Sequence, residues 1–333
     1  MIITRTPFRV SIAGGGSDLS NYYEKYGGAV VSTAINKYVY LSMHPYFFNN
    51  EYLLKYSQTE NAKSINEIQH RIIKEVFKLY HITGINLSSD ADIPAGTGLA
   101  SSSAFSVGLI HLCNAWNETY LDREQIADQA CHVEIDLLKE PIGKQYQYAC
   151  SCGGLNFIEF EKNGKVNVEK IYLSSDGYEK LQNNLLLFYT GKTHKAGDIL
   201  KEQKKNTTDD TKKIENLHKM VSLAKDLRSN LLHNDIDSMG EILKTNWALK
   251  KSLASCISDP FIDEQYATAI KAGAAGGKLL GAGGGGFLLF YVPEKNHTRV
   301  RSALSHLREM KFEFDNKGTN VIYYNRSSMK GIK

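Results

Sequence analysis

The sequence predicts an α+β protein with two domains. Its 333 residues exceed the ~250–300 residues at which a single hydrophobic core stops growing. Hydrophobic residues make up 42% of the chain and charged residues 23%, a balance typical of a globular protein with a large core. Strand-like and helix-like segments occur in blocks and do not alternate one for one, which favours α+β over a doubly wound sheet. We therefore divide the chain into residues 1–178 and 179–333.

The first half of the chain mixes strands and helices. Alternating or β-rich patterns predict strands over residues 2–12, 29–33, 37–46, 51–57 and 85–93. Helical periodicity predicts helices over residues 65–80, 102–116 and 123–138. Two more strands, over residues 155–161 and 166–173, close this half.

The second half opens with a strand over residues 184–190, and three helical stretches follow it. The remaining elements are a strand over 286–292, a helix over 296–309 and strands over 311–314 and 319–324. Residues 201–213 are the most charged segment, and we interpret them as a solvated helix end or loop.

Charge and cysteine content narrow the class of protein. A net charge of +4 on a chain of this size gives no reason to expect nucleic acid or an anionic membrane as a partner. The five cysteines match neither a zinc site nor a Cys-x-x-Cys motif, so we expect reduced, packed thiols. No signal peptide pattern opens the chain, and the apolar run over residues 279–292 is too short to span a bilayer. We expect a cytoplasmic protein.

The first of three glycine-rich segments covers residues 13–18 and follows a predicted strand. Gly14, Gly15 and Gly16 would let the backbone approach a ligand closely, and Asp18 beside Ser17 could accept hydrogen bonds from ligand hydroxyls. Asp18 could equally be the N-cap of a following helix, where it would contribute about 1 kcal/mol. The residues alone leave both interpretations open.

The second segment, residues 93–104, ends a strand and leads into an apolar helix. Small residues that open a helix present free backbone N–H groups and the positive end of its dipole to an anion. Ser101, Ser102 and Ser103 add hydroxyls for a phosphate oxygen or Mg²⁺. An ordinary capped helix would need one serine and neither Gly96 nor Gly98, so this segment is interpreted as a phosphate cradle.

The third segment, residues 276–290, contains a formal G-x-G-x-x-G pattern. A strand follows it where a dinucleotide-binding fold has a helix, which excludes a Rossmann site. Gly191, Lys192 and Thr193 are similar to the end of a Walker A motif, but Leu186 stands where its upstream glycine belongs. The sequence therefore does not predict a P-loop NTPase.

Together, these segments resemble in order and spacing the GHMP small-molecule kinases, and the resemblance spans nearly the whole chain. The family's ATP loop matches Pro94-x-x-x-Gly98-Leu99-x-Ser101-Ser102-Ser103-Ala104. Residues 6–18, 143–149 and 153–156 are most similar to the heptose kinase branch. The resemblance implies an N-terminal domain of ribosomal-S5-like fold, a ferredoxin-like C-terminal domain and an active site between them.

The resemblance also implies roles for individual residues. It assigns ATP binding to Pro94, Gly96, Thr97, Gly98, Leu99, Ala100, Ser101, Ser102 and Ser103. It assigns Mg²⁺ to Ser102 and Glu134, and it is the only reason to prefer Glu134 to Asp136. Substrate contacts are expected from Arg9, Gly14, Gly15, Gly16, Ser17, Asp18, Lys192, Thr193, His194, Gly283 and Gly284. The expected catalytic residues are Asp18, Lys144 and Tyr146.

The implied activity is an ATP- and Mg²⁺-dependent transfer to the anomeric hydroxyl of a heptose 7-phosphate. The turn of residues 191–195 could bind the distal phosphate through Lys192 and Lys195, with Arg9 as a further candidate, although a solvated basic turn explains it equally well. The expected partners are ATP and the sugar phosphate, without nucleic acid or membrane, and a homodimer stays open.

One position departs from the heptose and fucose kinases, which carry an aspartate where this chain has Tyr146. Tyrosine, with a reference pKa near ~10, is neutral at pH 7 and is a poor general base. Two alternatives to a heptose 7-phosphate kinase therefore stay open. One is another sugar 1-kinase of fucose or galactose type, and the other is a nucleotide- and sugar-binding homologue with impaired catalysis.

Overall fold

A computed structural model describes residues 1–48, 50–193 and 196–325, apart from the side chains of residues 196, 198 and 209. Its strands are β1 (Ile2–Ala13), β2 (Gly28–Pro45), β3 (Tyr52–Lys55), β4 (Thr59–Ala62), β5 (Ile85–Ala91), β6 (Leu155–Phe160), β7 (Val166–Lys170), β8 (Leu185–Tyr189), β9 (Gly276–Leu279), β10 (Phe287–Tyr291), β11 (Arg308–Glu309) and β12 (Asn320–Tyr324). They form two separate sheets.

The helices connect and cover the sheets. They are α1 (Ser20–Tyr26), α2 (Arg71–Tyr80), α3 (Ser101–Trp116), α4 (Arg123–Cys131), α5 (Gln145–Cys152), α6 (Ser175–Asn184), α7 (Ala196–Asp209), α8 (Thr211–Leu232), α9 (Met239–Lys251), α10 (Pro260–Lys271) and α11 (His297–Ala303). Short 3₁₀ turns cover Ile65–Glu67 and Glu294–Asn296, and a π-helix covers His132–Leu137.

The first sheet has eight strands around the long strand β2. Its main path runs β12-β1-β2-β5-β3-β4, and β6 with β7 extends from β2. All pairs are antiparallel except β3 with β5. The buried helix α3 packs against β1 and β2, because it is apolar on nearly every side.

The second sheet has four antiparallel strands in the order β11-β8-β10-β9, with α9 and α10 packed on β9. One hydrophobic cluster joins the two sheets, since it contains Val10 and Leu109 from the first half together with Leu187, Leu227 and Leu289 from the second. Strand β12 also pairs with β1, so residues near the end of the described chain return to the first sheet. The division at residues 178 and 179 stays a prediction.

The structure corrects the bounds of several predicted helices and strands. The strands predicted over 29–33 and 37–46 are one strand, β2, in which Asn36 and Lys37 are left out of the pairing with β1 at the register shift between Pro7 and Phe8. The helix predicted over 65–80 begins only at Arg71, and the one over 123–138 changes to a π-helix after Cys131.

Other corrections concern the end of the chain and short elements. The helix predicted over 296–309 ends at Ala303, and no strand covers residues 311–314, where Phe314 forms only an isolated bridge to Ile35. Helices α5 and α6 and strand β9 were missed. None of the five cysteines forms a disulfide. Within the described residues, no helix is long and apolar enough to cross a membrane.

Candidate active site between the two sheets

Two glycine loops, one from each half of the chain, touch through their backbones. Gly98 and Gly281 both have positive φ, at 82° and 74°. A Cβ atom on Gly281 would lie 2.5 Å from the Cα of Gly98, and one on Gly98 would lie 2.7 Å from the carbonyl oxygen of Leu280. Only glycine fits both positions without displacing the other loop. The predicted phosphate cradle and the third glycine segment therefore form one structure.

The phosphate cradle ends at the start of α3. Ala100 precedes the helix in a left-handed conformation with φ of 68°, and no side chain in the described chain caps this end. The first N–H groups of a helix have no intrahelical partner, so this uncapped start can bind an anion. The guanidinium of Arg9 donates to the carbonyl oxygen of Gly98 at 2.9 Å and its backbone N–H donates to that of Leu99 at 3.2 Å, which fixes the loop against β1.

Glu134 lies beside the serines of this loop, although it comes from a different helix. It is 1% exposed, and its Oε2 accepts a hydrogen bond from Gln147 Nε2 at 2.8 Å. Burial raises the pKa of Glu134 to about 7, against the opposing effect of hydrogen bonds from Gln147, Ser103, Ser102 and Ser106. The structure thus brings together Ser102 and Glu134, the two residues that the sequence analysis assigned to Mg²⁺.

This pair fits a magnesium ion. A buried carboxylate next to hydroxyl groups offers oxygen ligands, and Mg²⁺ is usually held by one or two carboxylates together with substrate phosphates and water. Elsewhere in the described chain, no group of three His, Cys, Asp or Glu side chains is arranged to hold a metal. Ser102 and Glu134 would therefore bind the ion from one side and leave its other coordination positions for the phosphates of a nucleotide.

Asp18 forms a second polar centre next to the glycine segment 13–18. Its Oδ1 accepts hydrogen bonds from Gly16 N at 3.0 Å and from Gln145 Nε2 at 2.7 Å. Burial raises its pKa, and these hydrogen bonds from Gly16 and Gln145 act in the opposite direction. The N-cap of α1 is Leu19, so the interpretation of Asp18 as a helix cap was wrong. Its carboxylate faces a cavity instead.

Tyr146 lines the same cavity and stacks with Arg9. The central carbon of the guanidinium lies 4.4 Å from the centroid of the tyrosine ring. Burial raises the pKa of Tyr146 to about 12, although Arg9 favours the ionised form. The phenol is therefore protonated at neutral pH, as the sequence analysis expected.

A second cation at this cavity, Lys250 of α9, was not predicted from the sequence. Its Nζ donates a hydrogen bond to the carbonyl oxygen of Gly281. Burial, and secondarily Arg9, lowers its pKa to about 8, while Asp18 acts in the opposite direction. The signal was present in the sequence, because Lys250 follows Leu243 and Trp247 on the buried face of an amphipathic helix.

The described residues that line the cavity come from both halves of the chain. They are Arg9, Ser11, Gly15, Gly16, Asp18, Leu19, Gly143, Gln145, Tyr146, Leu200, Gln203, Lys250, Gly281 and Ala282. Gln203 Nε2 and Gln145 Oε1 are buried and have no hydrogen-bond partner within the described chain. Buried polar atoms without partners are costly, so these amides are suited to the hydroxyls of a polar ligand.

The position of Gln203 corrects one expectation. Residues 201–213 do contain the end of α7 and the start of α8, and most of their described side chains are exposed. Gln203 and Thr207 are nevertheless buried on the inner face of α7. The many charged residues around these two positions led to the prediction of a fully solvated segment.

Several predicted site residues do not reach the cavity. Lys144 Nζ donates a hydrogen bond to the carbonyl oxygen of Gly164 at 2.8 Å, and Lys144 does not line the cavity. Ser17 donates to the carbonyl oxygens of Gly14 and Ala29, so Ser17 and Gly14 hold the turn against β2. In this structure Lys144, predicted as catalytic, and Ser17 and Gly14, predicted as substrate contacts, thus make contacts within the protein.

The predicted basic turn also lies outside the cavity. Lys192 Nζ forms an ion pair with Asp259 at 2.5 Å, and Thr193 is exposed. His194 and Lys195 lie outside the described residues. In the third glycine segment, Gly284 N donates to the carbonyl oxygen of Ile257 and Gly283 packs closely on the same residue.

The uncapped start of α3, with Glu134 beside its serines, is the kind of site that a small-molecule phosphotransferase requires. The chain belongs to the GHMP kinase family. It matches the GHMP kinases N terminal domain over residues 66–154 and the GHMP kinases C terminal domain over residues 227–310. Members of this family use ATP. The resemblance drawn from the glycine segments and the two-domain α+β fold are confirmed.

Individual relatives agree with this assignment. The chain is 31% identical over 316 residues to D-glycero-alpha-D-manno-heptose 7-phosphate kinase of Campylobacter jejuni, covering 90% of this chain and 92% of that protein. It is 25% identical to a galactokinase of Pyrococcus furiosus, covering 94% of each. A crystal structure of a D-glycero-D-manno-heptose 1-phosphate kinase from Bacteroides thetaiotaomicron superposes with a TM-score of 0.81 at 25% identity, covering 98% of this chain and 100% of that one.

Proposed function

We propose that this protein is an ATP-dependent kinase that phosphorylates the anomeric hydroxyl of D-glycero-D-manno-heptose 7-phosphate and forms the 1,7-bisphosphate. The observation that carries the proposal is the similarity to the Campylobacter jejuni heptose 7-phosphate kinase over nine-tenths of the chain. The cavity beside the phosphate loop supports it, because that cavity presents a carboxylate and unpartnered amides to a polyhydroxylated acceptor.

In this proposal, residues 94–103 bind the phosphates of ATP. The uncapped start of α3 supplies backbone donors, and the loop is held by Arg9 and by contact with Gly281. Ser102 and Glu134 hold Mg²⁺, which supplies charge neutralisation on the phosphate oxygens when it is bound. The other contributions to catalysis come from side chains of the protein.

Asp18, Gln145 and Gln203 position the sugar by accepting from and donating to its hydroxyl groups. The anomeric oxygen then forms a bond to the γ-phosphorus while the bond from that phosphorus to the leaving ADP oxygen breaks. The proton of the anomeric hydroxyl is released to water in the same reaction. Because the transition state of phosphoryl transfer is loose, alignment and charge stabilisation contribute most of the rate, and a strong base at position 146 is not required.

The location and partners of this reaction follow from its substrates. We infer a cytoplasmic enzyme whose partners are ATP and a sugar phosphate. The turn with Lys192, Thr193 and His194 stays our proposed contact for the distal phosphate. The side chains of Lys192 and Asp259, which form an ion pair, are each about two-fifths exposed. Exposed ion pairs contribute little to stability, so a phosphate can replace the Asp259 carboxylate at a small cost in free energy.

One observation favours a second candidate, a homologue that binds nucleotide and sugar without turnover. Tyr146 is protonated in the place where the heptose kinases carry a carboxylate. A coupled assay of ADP formation separates the candidates when heptose 7-phosphate, free heptose, fucose and galactose are compared. We expect turnover that is highest with heptose 7-phosphate. Turnover highest with a free hexose would contradict the proposed substrate, and binding of ATP and sugar without any turnover would favour the second candidate.

A further inference from the structure

Two buried basic side chains, Arg9 and Lys250, line the cavity that contains Asp18, and a third, Lys278, is buried close to them. Each of the three is at most 5% exposed, and Asp18 is the only acidic residue among the described residues that line the cavity. Within the described chain, no ion pair includes any of the three. Buried charge is costly unless it is paired, so this cavity is suited to an added anion.

Backbone carbonyl groups hold the three cations in place. Arg9 donates to Gly98, Lys250 donates to Gly281, and Lys278 donates to Ile12 at 3.1 Å. Gly98 and Gly281 are the two glycines whose loops touch. The ammonium of Lys250 therefore lies where the phosphate loop meets the cavity that contains Asp18.

A transferred phosphoryl group must pass through this junction, because the nucleotide loop lies on one side of it and the acceptor cavity on the other. One N–H of the Lys250 ammonium is used by Gly281, which leaves two donors for another ligand. Lys278 of β9 is not among the residues that line the cavity, although it is close enough to Lys250 for their charges to interact. Lys250 is thus the cation of this pair that can touch a ligand.

We propose that Lys250 is a catalytic residue whose ammonium contacts the phosphoryl group during its transfer to the sugar. This inference rests on the proposed function, since it requires a phosphoryl acceptor in the cavity. The bond changes are those already described, and Lys250 neither gains nor loses a proton in them. Its contribution is a positive charge next to the oxygens on which negative charge is concentrated in the transition state.

The test compares Lys250→Met, which removes the charge at similar length, with Lys251→Met as matched control. Lys251 is the next residue of α9, but its ammonium faces solvent and pairs with Asp263 at 3.0 Å. For Lys250→Met we expect kcat to fall by ~10²–10³, the usual effect of losing one transition-state donor, with KM for both substrates nearly unchanged. Lys251→Met should behave as wild type.

A binding measurement separates contact with the phosphoryl group from a structural role. Aluminium fluoride with ADP, Mg²⁺ and the sugar phosphate mimics the phosphoryl group in transfer, and its affinity can be measured by calorimetry. We expect Lys250→Met to lose this affinity by at least tenfold while it binds ADP and the sugar phosphate as wild type does. Unchanged affinity for the mimic, or a raised KM for the sugar with unchanged kcat, would overturn the proposal.

A third variant, Lys250→Arg, decides the question if Lys250→Met does not fold. Arg9, Asp18, Lys278 and Tyr146 are the titratable groups around Lys250, and its pKa of about 8 means that wild type loses the charge in alkali. We expect kcat/KM of wild type to fall above pH 8 and that of Lys250→Arg to stay level. Parallel profiles would overturn the role of Lys250, whereas a wild type inactive on every sugar would contradict the proposed function instead.

Discussion

The guanidinium of Arg9 lies over the ring of Tyr146, with 4.4 Å between its central carbon and the ring centroid. Arg9 also holds the phosphate loop through Gly98, so this stack links the nucleotide side of the site to the acceptor side. Burial keeps the tyrosine protonated, with a pKa of about 12. A cation here thus faces a neutral ring where the heptose kinases would place a carboxylate.

Replacing Tyr146 with Asp should therefore increase the rate. The new carboxylate would lie beside Arg9 and could accept the proton of the anomeric hydroxyl, and a positioned base typically contributes ~10²–10⁴-fold. We expect kcat at saturating substrates to rise by at least tenfold, measured by coupled ADP release. Tyr146→Phe serves as the control and should retain most of the wild-type kcat. An unchanged kcat in Tyr146→Asp would mean that the base is elsewhere, with Asp18 the next candidate, or that none is needed.

Ser102→Ala should weaken the use of Mg²⁺. The Ser102 hydroxyl hydrogen-bonds to Glu134 and lies in the phosphate loop, so its loss removes an oxygen ligand next to the carboxylate. We expect the Mg²⁺ concentration for half-maximal activity to rise severalfold, measured in a titration at fixed ATP. Ser106→Ala removes a hydroxyl one turn into α3 that donates to the carbonyl oxygen of Ser102 at 3.0 Å, and its titration should shift less. Equal titrations for Ser102→Ala and wild type would contradict the assignment.

Gly143→Ala should damage sugar binding through Asp18. A Cβ atom on Gly143 would lie 2.0 Å from Asp18 Oδ2, so the carboxylate must move away from its partners. We expect KM for the sugar phosphate to rise about tenfold or more while KM for ATP changes little, with circular dichroism confirming the fold. Gly197→Ala is the matched control, because its nearest neighbour would be Pro141 Cγ at 3.8 Å. An unaffected KM for the sugar would mean that Asp18 does not bind it.

Neutralising Lys192 and Lys195 together should affect the sugar phosphate more than ATP. If this turn binds the distal phosphate, KM for heptose 7-phosphate should rise severalfold and KM for free heptose should stay the same. Lys180→Gln combined with Lys244→Gln removes two exposed lysines, which are paired with Asp237 and Glu241, and controls for net charge. A similar rise in KM for ATP and for the sugar phosphate would argue against a phosphate site here.

The parts of the site that sequence predicted are those encoded within one short segment. The glycines and serines around Gly98 predict phosphate binding directly, because a glycine-rich turn followed by a helix start is suited to bind an anion. Glu134 was found only through the family resemblance, since nothing in its neighbours distinguishes it from Asp136. The structure distinguishes them by burial, since Glu134 is 1% exposed and the side chain of Asp136 is 64% exposed.

The roles of Lys250, Lys278 and Gln203 could not be predicted from sequence, because they depend on contacts between distant segments. The periodicity of α9 places Lys250 on a buried face but does not say which loop that face contacts. Lys250 reaches Gly281, and Lys278 reaches Ile12 across 266 residues of chain. Conversely, Lys144 belongs to a motif that faces the site, but the helix start turns its side chain toward Gly164. A motif identifies the segment at the site, and only the packed structure determines which of its side chains point inward.

The most direct test of the proposed function is the position of the phosphate in the product. ³¹P nuclear magnetic resonance can follow heptose 7-phosphate with ATP and Mg²⁺ in the presence of the protein. Our account predicts one new sugar phosphate signal for each ATP consumed, coupled to the anomeric proton, while the 7-phosphate signal remains. A product phosphorylated at another carbon, or ATP consumption that requires a free hexose instead, would contradict it.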